Sequence, residues 1–97
     1  MTEVIIRRDG RMYYVSAQGH ATGSVEVCAA VSALMYTLDG YINNAPIRIY
    51  EECMEPGNVL LRFEGGTEAE IAVDVVSVGI EMLELTFPDH VSASIMT

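Results

Sequence analysis

A small α+β domain is the fold class this sequence predicts. Three features point to it: two pairs of short strands, a long helical period after each pair, and a β-rich run at the end. The expected order is ββαββαβ, a mostly antiparallel sheet of four to five strands with two long helices packed on one face. That is the simplest way to bury two helical stripes and one sheet face together. At 97 residues there is room for one core, and at 51% hydrophobic there is material to fill it. Residues 1–97 are therefore read as a single domain.

Val4 to Arg8 and Met12 to Ala17 read as strands, joined at Asp9-Gly10, a dipeptide favoured in tight hairpins. A helix follows from about Val25 to Asn43, with Ser24 as its best cap because apolar periodicity starts just after it. The stripe Val27, Val31, Leu34, Leu38, Tyr41 predicts the buried side. Asn43, Asn44 and Pro46 end the helix. Ile47 to Cys53 and Val59 to Phe63 form the second strand pair around Glu55-Pro56-Gly57-Asn58, with Ile47, Ile49 and Glu51 on one side and Arg48 and Tyr50 on the other. Thr67 and Glu70 match a capping box for the second helix. Its buried stripe is expected at Ile71, Val75, Val78, Met82 and Leu85, opposite an acidic face of Glu70, Asp74, Ser77, Glu81 and Glu84. Gly79 inside it predicts a close crossing with the Ala-rich first helix. Pro88 stops the helix, and Val91 to Met96 supplies a last strand.

Charge narrows the function classes. The net charge is −9 with no lysine, and ten of the fourteen acids lie between Glu51 and Asp89. Such a surface repels phosphate backbones, which argues against nucleic acid as a partner. It attracts a basic polypeptide instead. No apolar run reaches the length expected of a membrane span, so no membrane partner is expected. The N-terminus lacks the basic and apolar regions of a signal peptide. Two cysteines do not make a disulfide framework. A reducing cytoplasm is the expected setting.

The chemistry gathers in Gly19-His20-Ala21 and Val27-Cys28-Ala29-Ala30-Val31-Ser32. A cysteine in the first turn of a helix is well placed to act as thiolate, since the helix N-terminus and a nearby imidazolium both favour that anion. His20 sits on a Gly-flanked segment. Its tether to Cys28 spans roughly 25 Å when extended and folds back easily to bring imidazole to sulfur. Ser32 lies one turn beyond Cys28 on the same face and can orient the sulfur or a substrate.

This block resembles the signature of the ribosomal-processing cysteine proteases, the Prp family: Gly-His-Ala, a variable loop, then Val-Cys-Ala-Ala-Val-Ser. The resemblance implies that Cys28 is the nucleophile and His20 its partner base. It implies as substrate the N-terminal extension of a large-subunit ribosomal protein, cut after an aromatic residue, and a dimeric assembly. Gly19, Glu26 and Ser32 are read as supporting residues. The family's loop is a few residues longer, and its Asp three before the Cys falls here on Val25, with Glu26 one position later. One position turns a helical side chain by about 100°. These departures motivate an alternative: a non-catalytic relative acting as a peptide-binding or regulatory domain.

The remaining candidates read as structural. Cys53 is expected to be a reduced, partly buried thiol, His90 a turn residue, and Gly65-Gly66 a turn rather than a phosphate loop. The spacings of Cys28, Cys53, His20 and His90 do not match a zinc site, so no metal or cofactor is expected.

Overall fold

The sheet and helices follow from chain order in the computed structural model, which describes residues 1–19 and 24–96. The elements are β1 (Thr2–Asp9), β2 (Met12–Gln18), α1 (Val25–Ile42), β3 (Arg48–Glu55), β4 (Asn58–Glu64), α2 (Thr67–Thr86) and β5 (Val91–Met96). The order ββαββαβ is the predicted one. The five strands form one sheet in the order β3-β4-β2-β1-β5. It is mixed: β5 runs parallel to β1, and the other pairs are antiparallel.

One face of the sheet carries Val4, Ile6, Tyr13, Val15, Ala17, Leu61 and Phe63, all buried. Both helices meet that face. Ser24 starts α1 as expected, with an extended backbone and a side-chain oxygen that accepts from Val27 N at 3.3 Å. The helix buries Val27, Val31, Met35, Leu38 and Ile42. The burial expected at Leu34 and Tyr41 belongs to Met35 and Ile42, while Leu34 is half-buried and Tyr41 exposed. After Val31 the same apolar spacing continues equally well from either neighbour, and the two choices differ by about 100°. α1 is also more apolar than the sequence reading allowed. Its 18 residues reach a mean hydropathy of 1.3, enough by length and composition to cross a membrane. Here its apolar side is committed to the sheet.

α2 departs further from expectation. Its buried residues are Ala69, Val73, Val76, Ser77 and Ile80. The stripe expected inside, Ile71, Val75, Val78, Met82 and Leu85, is exposed, and Ser77, expected outside, is buried. The cap differs too. Thr67 is the first helical residue, Gly66 holds the cap position, and no side chain caps the helix. Glu70 reaches Arg8 at 3.4 Å instead. The close approach at Gly79 is present: a Cβ there would lie 2.9 Å from Leu34 Cδ2 on α1.

Strand β3 contains an irregularity between Ile49 and Glu51, so that Tyr50 is an extra residue in the register. The bulge turns Glu51 to the face opposite Ile49, where it pairs with Arg62 at 3.0 Å. This corrects the expectation that both share one side. The arginines lie toward the end of the sheet that holds the β1–β2 turn, with Arg7 over the Tyr14 ring and Tyr50 between Arg48 and Arg62.

α1 and β3 are joined near the helix end by a carboxyl pair. Asn43 Nδ2 donates to Asp39 Oδ1 at 3.3 Å and to Glu52 Oε2 at 2.6 Å. Burial, followed by the neighbouring Glu52, pushes the Asp39 carboxyl up to about 6. Hydrogen bonding from Asp39 and Asn43 lowers Glu52. A raised folded-state value means that the native protein binds Asp39's proton more tightly than the unfolded chain does. Asp39 therefore stabilises the fold below its unfolded value, and that contribution is lost as pH rises through about 6. Glu52 acts oppositely, its contribution fading as pH falls below the usual carboxylate range. The urea midpoint of the parent should decline between pH 4 and 7 on this account, and Asp39→Asn, which copies the protonated form, should flatten that decline. An unchanged slope would show that the pair does not share a proton.

Candidate active site

Cys28, Val31, Ser32, Met35 and Tyr36 fall on one face of α1, at steps of three and four residues. That face forms one wall of a cleft of about 120 Å³. The opposite wall comes from Met54 and Val59 and from the β3–β4 turn at Glu55, Pro56 and Gly57; Thr2, Ala17 and Gly19 complete it. The site thus sits at the edge of the α1–sheet interface, where the helix leaves its core-facing side. Cys28 is half-buried there, four positions into the helix, and its N–H bonds Ser24 O at 3.3 Å. Neither cysteine is in a disulfide. The sulfur therefore stands near the positive end of α1 and borders a mostly apolar hollow.

Gly19 is held from two sides. Its N–H donates to Gly57 O at 2.9 Å, which ties the end of β2 to the β3–β4 turn. Its φ is +87°, and a Cβ would lie 2.6 Å from Met1 O. Both the backbone conformation and the space demand glycine. Gly19→Ala should cost about 1–3 kcal/mol in chemical denaturation. It should also lower peptide turnover beyond what the unfolded fraction explains, because residue 20 follows directly. Turnover per folded molecule equal to that of the parent would separate this turn from the chemistry.

The sequence-predicted residues distribute as follows. Gly19, Cys28 and Ser32 line the cleft. Ser32 is exposed at its edge. Glu26 is exposed in the first turn of α1, where its Oε2 accepts from Ser24 Oγ at 3.4 Å, and it is not part of the cleft lining. Its carboxylate suits the positive end of the helix. His20, predicted as the base, lies outside the described residues. Cys53 is half-buried on β3, its sulfur 3.6 Å from Asn58 O. His90 lies in the turn after α2, and its carbonyl accepts from Thr2 N at 2.9 Å. Among the described residues no three metal-binding side chains gather.

Sequence reading left the apolar walls unnamed. Those on α1 were findable, since counting three, four, seven and eight residues from Cys28 gives Val31, Ser32, Met35 and Tyr36. Met54 and Val59 were not, because only the sheet register brings the β3–β4 turn across from α1.

The family model described as cysteine protease Prp matches residues 1–92. Among solved structures, the ribosomal processing protease Prp from S. aureus with a covalently linked product peptide is 19% identical, with a TM-score of 0.83 over 100% of both chains. The same protease with a substrate peptide gives 16% identity and a TM-score of 0.72, again over 100% of both chains. SMU.848 from Streptococcus mutans is 23% identical, with a TM-score of 0.75 over 100% of this chain and 95% of that one. Among curated proteins no sequence matches.

Proposed function

This chain belongs to the Prp family of cysteine proteases, and from that premise we propose that it is an endopeptidase that removes the N-terminal extension of a large-subunit ribosomal protein. The observation that carries the reading is the position of Cys28, at the start of α1 and on the wall of a cleft. In the proposed reaction the Cys28 sulfur attacks the scissile carbonyl carbon while His20 takes the thiol proton. The tetrahedral intermediate collapses as the C–N bond breaks, and His20 returns the proton to the departing amine. Water then hydrolyses the thioester, which releases the new carboxylate and restores the thiol. No cofactor is needed for these steps.

Substrate choice rests on two features of the cleft. Val31, Met35, Met54 and Val59 give it an apolar lining suited to the aromatic residue before the cut. Glu55 stands on the same wall, and the arginines lie toward the other end of the sheet. A basic extension therefore meets acid at the site and is not repelled there. The S. aureus relatives, one with a covalently linked product peptide and one with a substrate peptide, agree with a peptide substrate. A reducing cytoplasm suits the thiol.

The test is incubation with a peptide copying the unprocessed ribosomal extension, read by mass spectrometry. Cleavage after an aromatic residue supports the assignment. Saturable binding with no cleavage product would overturn it in favour of a non-catalytic peptide-binding relative, a reading that Val25 in place of the family's Asp and the shorter loop motivate.

A further inference from the structure

Among the described residues that line the cleft beside Cys28, Tyr36 is the one aromatic side chain and Glu55 the one carboxylate. They stand on opposite walls, Tyr36 on α1 and Glu55 at the end of β3. Both are exposed, Tyr36 by 59%.

Neither is engaged by a cation of the chain itself. Arginine guanidiniums lie over the rings of Tyr13, Tyr14 and Tyr50, at 5.2–5.9 Å from the centroids. No described arginine lies over Tyr36. The ion pairs among the described residues are Arg8–Glu70 and Arg62–Glu51, so Glu55 belongs to neither. An aromatic face opposite a carboxylate suits one kind of side chain, a cation on an apolar stem. The ring attracts the charge through its quadrupole, the carboxylate attracts it directly, and the apolar lining covers the methylenes.

The carboxylate wall is anchored. Glu55 precedes Pro56 and Gly57, and Gly57 O accepts from Gly19 N at 2.9 Å, which ties this turn to the end of β2. The distance to the sulfur sets the position that is read. Tyr36 follows Cys28 by two helical turns, about 12 Å along the axis at roughly 1.5 Å per residue. An extended peptide, at about 3.3–3.6 Å per residue, covers that length in three or four residues.

We propose that Tyr36 and Glu55 form a cation subsite that selects a lysine or arginine of the substrate peptide three or four residues from the cut. The subsite rests on the peptidase reading for the position of the cut. Its binding preference is measured separately from cleavage.

The test uses peptides that copy the extension with glutamine at every basic position, and a single lysine moved one residue at a time along both sides of the cut. Binding is read by fluorescence anisotropy on Cys28→Ala, and cleavage on the parent. Lysine three or four residues from the cut should tighten binding on the order of ten-fold over glutamine there. Tyr36→Leu and Glu55→Gln should each lose about three-fold of that preference, and Tyr36→Phe should keep it. With Cys28 intact the loss should fall on KM and not on kcat. Glu55→Lys should reverse the preference, so that glutamate binds better than lysine at the same position, an outcome that a purely structural role for the turn does not produce. A lysine preference that is absent, sits only at other positions, or survives both Tyr36→Leu and Glu55→Gln would overturn the proposal. Lysine-dependent binding without cleavage by the parent would remove the peptidase reading and leave the subsite standing. Cleavage with no lysine preference would do the reverse.

Discussion

Replacing Cys28 with Ala should reduce cleavage of the ribosomal-extension peptide by at least about 10³-fold while leaving the fold intact. The size follows from the mechanism. Without sulfur no thioester forms, and the remaining groups can only bind and orient. The small structural effect follows from position, since Cys28 borders a cleft and is half-buried, unlike its neighbour Val27. Cys28→Ser should not rescue turnover, because a hydroxyl is a far weaker nucleophile than a thiolate. Chemical labelling adds a readout that needs no substrate: iodoacetamide should modify Cys28 faster than Cys53. The substrate peptide should protect Cys28 alone, since Cys53 does not line the cleft. Cleavage retained in Cys28→Ala, or equal and slow labelling of both thiols, would remove this cysteine from the chemistry.

What the sequence made legible was local. The Ser24 cap, the helix break at Asn43, the hairpin at Asp9-Gly10 and the strand Val91–Met96 each follow from rules that involve a few neighbouring residues. The placement of Cys28 inherits from the cap, because fixing the first turn of α1 fixes which residues share the sulfur's face. Choices between two apolar faces were not legible. α2 has Ala69, Val73, Val76 and Ile80 on one side and larger side chains on another, so its periodicity admits two orientations. Bulk favours burying the larger set. The fold buries the smaller one, and the missing side chain at Gly79 lets α2 approach Leu34 closely. Only the packing of α2 against α1 and β5 decides between them. The bulge at Tyr50 was hidden for a related reason, since an extra residue in one strand is defined only by the register of its partner.

The largest stability effect should come from Phe63→Ala, about 3–5 kcal/mol in urea denaturation. Phe63 is fully buried, and its ring stacks on Tyr13 with centroids 5.5 Å apart and planes 14° from parallel. The two face one another across β4 and β2, with Ile49 on the other side of Phe63. Truncation therefore opens a cavity between the sheet and the helices and removes the stacking partner of a buried tyrosine. A single domain of this size is stable by roughly 5–15 kcal/mol, so the loss takes a large share. It corresponds to a fall in Tm on the order of 15–30 °C. Phe63→Leu keeps most of the volume and should lose clearly less. Tyr41→Ala supplies the contrast. The spacing of α1 marked Tyr41 for the core, but the fold leaves it exposed, and its removal should shift stability by less than about 0.5 kcal/mol. Comparable losses in Phe63→Ala and Tyr41→Ala would mean that α1 meets the sheet through the face first read from its sequence, which would displace Met35 from the cleft wall as well.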